Sequence, residues 1–338
     1  MKLPNTLVLA LLLMVWQPNA HALACGDTVT TSITLTADLH CTTGWEALYV
    51  PVSNITIRLN GHTLSGDPAL QGIGILNATK VRIVGPGRIT GFWTGVNATR
   101  ADDLSVDGVT FEDTGSGVTI SDTRAATVKN NDFRRLRGWG VYIIAVPGSR
   151  ATLGTHTILD NQMLDVIGGI SICGHPNSGN LIKGNKLQGV RDYGIHLYDA
   201  SNNNQVTQNE MRKVDLTGIV LRSSSQNRIT GNLVDYGHAG MSLIPQLTGS
   251  CMTGGYSPVV AFNQIEANSI FQQSVGISLG LGITKDLQVM KNRIYLNKLY
   301  NDATGISFRE DAHDNDATGN AYFGTPVPVV DMGSGNTY

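Results

Sequence analysis

Charge is scarce in this chain. Asp, Glu, Lys and Arg make up 15% of its 338 residues, and the formal net charge is −2. A nucleic-acid backbone calls for a concentrated cationic surface, so no nucleic-acid partner is expected. Aromatic residues are few, at 6%, and no helical period of apolar residues runs between the recurring motifs. After residue 24 no apolar run is long enough to span a bilayer as a helix, so no transmembrane segment is expected. Glycine, by contrast, is abundant at 39 residues. That suits many turns and short strands better than long helices.

The first 24 residues read as a signal peptide. Lys2 supplies positive charge, Leu7 to Trp16 an apolar core, and Ala22-Leu23-Ala24 a small-x-small cleavage pattern before Cys25. Cleavage after Ala24 predicts a secreted or periplasmic protein. A lipoprotein with lipid on Cys25 is the alternative. Export permits disulfides. Four cysteines allow three connectivities, and the expected one joins Cys25 to Cys41 across a short Thr-rich loop. Cys173 and Cys251 either pair with each other or stay as buried thiols.

The chain repeats a short phrase. Gly194-Ile195-His196-Leu197 recurs as Gly140-Val141-Tyr142-Ile143, Gly169-Ile170-Ser171-Ile172, Gly218-Ile219-Val220-Leu221, Gly240-Met241-Ser242-Leu243, Gly276-Ile277-Ser278-Leu279 and Gly305-Ile306-Ser307-Phe308. A second mark is Asn-x-apolar, beginning at Asn131, Asn161, Asn185, Asn209, Asn232, Asn268 and Asn292. Successive steps are 30, 24, 24, 23, 36 and 24 residues. A period near 24 must be read as a repeat architecture. Leucine-rich and hexapeptide repeats do not fit, because the helical return and the strict six-residue step are absent. Each unit carries three apolar bursts, which predicts three short strands per coil, stacked about 4.8 Å apart. In this reading the phrase glycine takes corner conformations that other residues resist, and the asparagines bond along the stack.

This pattern resembles the right-handed parallel β-helix of the pectin-lyase-like superfamily, and more narrowly its NosD-like or periplasmic copper-binding repeat proteins. The resemblance implies an all-β, single-stranded right-handed parallel β-helix of about ten coils with a disulfide-stapled N-terminal cap. The expected divisions are 1–24 signal peptide, 25–60 cap and first strands, 61–320 β-helix, and 321–338 C-terminal cap and tail. It also implies action on acidic, uronate-containing polysaccharides, by hydrolysis, β-elimination or epimerisation. The chain is expected to work as a monomer.

Alternation places the site. If Ile195 and Leu197 face inward, His196 and Tyr198 face outward. Tyr142 and Arg222 fall on the same outer face, where most coils carry small residues. Long insertions follow Ile144 and Ile244, and a shorter one with His175 follows Cys173. They should flank a groove floored by His196, Tyr198, Asp199 and Arg222, with Arg191, His175 and His238 at its margins. Elimination or C5-epimerisation needs the uronate carboxylate neutralised, a base for the adjacent proton and an acid. Arg222, His196 and Tyr198 or Tyr142 are the candidates. Asp192, Asp215 and Asp235 recur at similar phase and could form a column that holds calcium. Glu310-Asp311-Ala312-His313-Asp314 resembles the Asp-Pro-His-Asp motif of alginate epimerases, with Ala312 in place of proline. The rival reading is a non-catalytic β-helix that binds glycan, metal or an envelope partner. In its copper-handling form Cys173, His175 and His196 would be ligands, and a free Cys173 would favour it.

Overall fold

The computed structural model describes residues 23–145, 153–174, 177–246, 258–282 and 286–338. Short runs of alternating residues bury one side chain and expose its neighbours. In Arg82–Val84, only Ile83 is buried, and the same holds for Val106, Val128 and Ile158 on the coils above. These central residues stand directly over one another, with Val106 opposite Ile83 and Val128. Each coil therefore adds one apolar rung to a ladder already present below it. Burying an Ile or Leu side chain stabilises by roughly 1.5–3 kcal/mol, so stacking identical rungs is how so short a strand persists.

The result is an all-β parallel solenoid of about 12 turns, with no helix among the described residues. Two rows of strands join into a 22-stranded sheet, and the third row is an 11-stranded sheet. The two rows fuse where Glu210–Arg222, Leu233–Ile244 and Ser269–Leu279 run unbroken around a corner. The coil count exceeds the expected ten because both ends contribute. Residues 25–60 do not sit apart from the stack: Glu46–Val50 pairs in parallel with Gln71–Leu76. At the other end Val327–Asp331 pairs with Thr304–Phe308 despite Pro328. Cys25 and Cys41 form the expected disulfide near the N-terminus.

Two features of the corners differ from expectation. The phrase glycine does not occupy a left-handed conformation. That conformation falls instead on polar corner residues such as Asp160 (φ 52°) and Gln208 (φ 57°), whose amides bond the next coil at Lys183 and Thr230. The glycine is required by close approach: a Cβ on Gly194 would lie 2.5 Å from the Gly218 carbonyl oxygen and 2.8 Å from Met211 Sδ. Asparagine forms two ladders rather than one. In the first, Asn209 Oδ1 accepts both the backbone N–H (3.0 Å) and Nδ2 (2.9 Å) of Asn185, and the series continues through Asn232 and Asn268 to Asn297. Asn292 belongs to the second ladder, between Asn263 and Asn315. Asn292-Arg293-Ile294 and Asn297-Lys298-Leu299 carry the same pattern five residues apart, and only pairing separates them. His156 takes an asparagine's place in the second ladder, its Nδ1 accepting the Ala126 N–H at 3.1 Å while its backbone N–H donates to Asn180 Oδ1 at 2.8 Å.

Candidate functional site

The outward face of the first row carries the cluster. Tyr142 opposes Ser171, and Ser171 opposes His196; one column over, Cys173 opposes Tyr198 and Tyr198 opposes Arg222. Alternation thus puts His196, Tyr198, Arg222 and Tyr142 together, as expected. Facing outward did not leave them exposed. His196 is 4% and Tyr198 7% exposed, because aromatic rings lie over both. The imidazole centroid sits 4.7 Å from Tyr198, 4.9 Å from Tyr193 and 6.0 Å from Trp139. Trp139 also stacks on Tyr142 at 6.4 Å. Gly168 leaves room for this indole: a Cβ there would lie 2.4 Å from the ring.

Arg222 supplies the cluster's positive charge. Its guanidinium lies 5.2 Å over the Tyr198 ring and 5.7 Å over that of Tyr193, and Nη2 donates to Tyr193 Oη at 3.2 Å. Arg222 Nε and His196 Nε2 are buried without a hydrogen-bond partner among the described residues. Burial, reinforced by Arg222, holds the His196 pKa down to about 3. The imidazole is therefore neutral over the whole physiological range. Burial pushes the Tyr142 phenol up, so it too is neutral, a donor rather than a phenolate. Asp192 is half-buried beside this group; burial raises its carboxyl while Arg222 pulls it down.

The remaining expectations fare differently. Asp199 is not an open floor residue: it is fully buried in the corner after Tyr198, in a left-handed conformation (φ 49°) with its N–H on the Arg222 carbonyl. Arg191 and His238 are exposed at the edge where the row begins. His175, Cys251 and most of the two long insertions lie outside the described residues. The carboxylates do not form a column. Val214 opposes Gly237, which displaces Asp215 from Asp235, and Asp235 instead opposes Arg212, whose Nη1 lies 3.5 Å from its carboxylate. A register shift between Val214 and Thr217 breaks the phase that sequence spacing suggested. Among the described residues no group of three His, Cys, Asp or Glu side chains is placed to hold a metal ion. Cys173 is disulfide-bonded, which removes the free thiol that copper handling called for. Asp311, from the epimerase-like motif, caps the backbone amides of Leu281 and Gly282.

Trp139 and Tyr193 are the members that sequence reasoning missed. Each shares the parity of an inward residue, Val141 and Ile195. Both stand where the chain leaves a corner, and alternation does not hold there. The only available signal was their repeated place just before the phrase glycine.

A family model for the right-handed β-helix region matches residues 94–244 and 171–337. The chain belongs to this right-handed β-helix family. None of the curated proteins matches it by sequence. Among solved β-helix structures, the mannuronan C-5 epimerase A-module of Azotobacter vinelandii is 12% identical with a TM-score of 0.53, covering 90% of this chain and 91% of that one. An alginate lyase from Paenibacillus is 15% identical with a TM-score of 0.53, covering 75% and 99%. A tailspike of Escherichia coli bacteriophage HK620, solved with a pentasaccharide, is 13% identical with a TM-score of 0.60, covering 88% and 71%. At these identities the likeness is one of fold.

Proposed function

We propose that this β-helix acts on a uronate-containing polysaccharide, by β-elimination or C5-epimerisation at the His196 cluster. The carrying observation is Arg222, a half-buried guanidinium with an unpartnered Nε, held by Tyr193 beside a neutral imidazole whose Nε2 is also unpartnered. A uronate carboxylate offers the charge and acceptors this guanidinium lacks. Neutralising it acidifies the C5 proton, which Nε2 of His196 accepts. In elimination the C5–H pair becomes the C4–C5 double bond, the C4–O bond breaks and a tyrosine, Tyr198 or Tyr142, protonates the departing oxygen. In epimerisation the C4–O bond stays intact, His196 keeps the abstracted proton, and a tyrosine delivers its own proton to the opposite face of C5. The carboxylate's approach also reverses part of the burial effect on His196, because a nearby anion favours imidazolium. Neighbouring folds that include a mannuronan C-5 epimerase and an alginate lyase support this substrate class.

Residues 1–24 would direct export, and the disulfides suit an oxidising compartment. A non-catalytic glycan-binding face is the second reading, favoured by the burial of His196 at 4% exposure. The test is incubation with alginate, pectate and glycosaminoglycans, with and without calcium. Ultraviolet absorbance of unsaturated uronate follows elimination, and proton NMR follows epimerisation. Activity lost in both His196→Ala and Arg222→Ala is the expected result. Binding without turnover in the wild type would leave only the second reading, and neither binding nor turnover would refute both.

A further inference from the structure

Aromatic side chains mark every second coil along one edge of this same face. Trp45 is 86% and Trp93 67% exposed, far more than an indole on a solenoid wall needs to be. Trp45 precedes Glu46 and Trp93 precedes Thr94, and Glu46 and Thr94 both oppose Gln71, so the two indoles stand two coils apart. Trp139 begins its strand two coils further on, and Tyr193 two coils beyond that. These last two sit one position nearer the strand centre. The coils between carry nothing comparable: Leu70 is 5% exposed, and Gly115 and Gly168 have no side chain. The four aromatics therefore form a line parallel to the solenoid axis, at intervals of about 9.6 Å, ending at the His196–Arg222 cluster.

We propose that this line is a binding track for an extended 1,4-linked glycan. Two coils advance as far as two pyranoses do along such a chain, so alternate sugars meet an aromatic ring in the same orientation. Sugar C–H faces stack on indoles, and exposed tryptophan is an amphipathic anchor suited to that contact. Trp45 to Tyr193 spans about 29 Å, a run of about six sugars, and directs the chain's end to Arg222. The alternation also explains why the intermediate coils stay flat. The track rests on the proposed glycan reading and specifies it: a 1,4-linked polymer of two-fold repeat, engaged mainly on the N-terminal side of the cluster.

The experiment compares a tetrasaccharide and a decasaccharide of alginate by titration calorimetry, on the wild type, Trp45→Ala/Trp93→Ala and Trp45→Phe/Trp93→Phe. The exposure of both indoles makes the fold insensitive to the change, and circular dichroism checks it. Expected are tighter decasaccharide binding in the wild type, about tenfold weaker in the alanine variant, substantially restored in the phenylalanine variant, and unchanged tetrasaccharide binding throughout. Equal decasaccharide affinity in the wild type and the alanine variant would overturn the track while leaving the cluster's glycan reading intact. Equal wild-type affinity for both lengths would do the same. No binding of either oligosaccharide by the wild type would overturn the track and the alginate form of that reading together.

Discussion

Two buried histidines should make this solenoid acid-labile well above the range of ordinary acid unfolding. His196 is 4% and His156 1% exposed, and burial holds their pKa values at about 3 and about 4, against about 6.5 in the unfolded chain. The unfolded state therefore binds protons that the folded state refuses between about pH 6.5 and about pH 4. Stability is fully present above the unfolded pKa and falls as the pH drops through that window. Near pH 5 the unfolded imidazole is favoured by about 1.5 pH units, or about 2 kcal/mol for each histidine. His156 has a specific reason to resist protonation. Its Nδ1 accepts the Ala126 N–H, so a proton on that nitrogen would place two donors face to face. The variants are His196→Phe, which keeps the aromatic stack, and His156→Asn, which keeps an acceptor in the ladder. Urea unfolding followed by circular dichroism, near pH 7.5 and near pH 5, gives the loss on acidification. Each variant should lose about 2 kcal/mol less than the wild type across that interval. A wild type equally stable at both pH values, or variants with undiminished pH dependence, would refute the reasoning.

Asp302 should act with the opposite sign. It is fully buried, and burial raises its carboxyl to about 7, so it stabilises while protonated and loses that contribution as the pH rises through about 7. Asp302→Asn keeps an acceptor for the Gln273 N–H (2.8 Å) and should flatten the loss of stability between about pH 4 and about pH 7, read by melting temperature against pH. Asn209→Ala should cost about 3–5 kcal/mol in urea unfolding, because it orphans the Asn185 N–H and the Ile182 carbonyl, whereas exposed Lys186→Ala should cost almost nothing. An Asn209→Ala cost below about 1 kcal/mol would mean the ladder adds little beyond ordinary strand pairing. Arg222→Lys should abolish most turnover on uronate polymers while sparing stability, since an ammonium lacks the planar fork that a carboxylate fits; activity equal to the wild type would remove Arg222 from the carboxylate's path.

The sequence alone determined the architecture, because a solenoid repeats its local rules. A period near 24, one apolar residue centred in each short strand and an asparagine at each corner suffice to specify parallel stacking, and Cys25 with Cys41 could be paired from spacing. The same alternation put His196, Tyr198, Arg222 and Tyr142 on one face. Properties that depend on neighbouring coils were out of reach. The parity that turned His196 outward could not show that Trp139 and Tyr193 lie over it, since both break parity at a corner. Spacing suggested a carboxylate column from Asp192, Asp215 and Asp235, which a register shift of the backbone dissolved. Asn292 and Asn297 look alike in sequence and differ only in which coil-mate they bond. The phrase glycine seemed to need a special backbone conformation, and in fact needs the absence of a Cβ beside the next coil's carbonyl. Periodicity fixes which way a side chain points along its own strand. Burial, pKa and stacking depend on what the coils above and below bring within a few ångströms, and only the tertiary structure sets that.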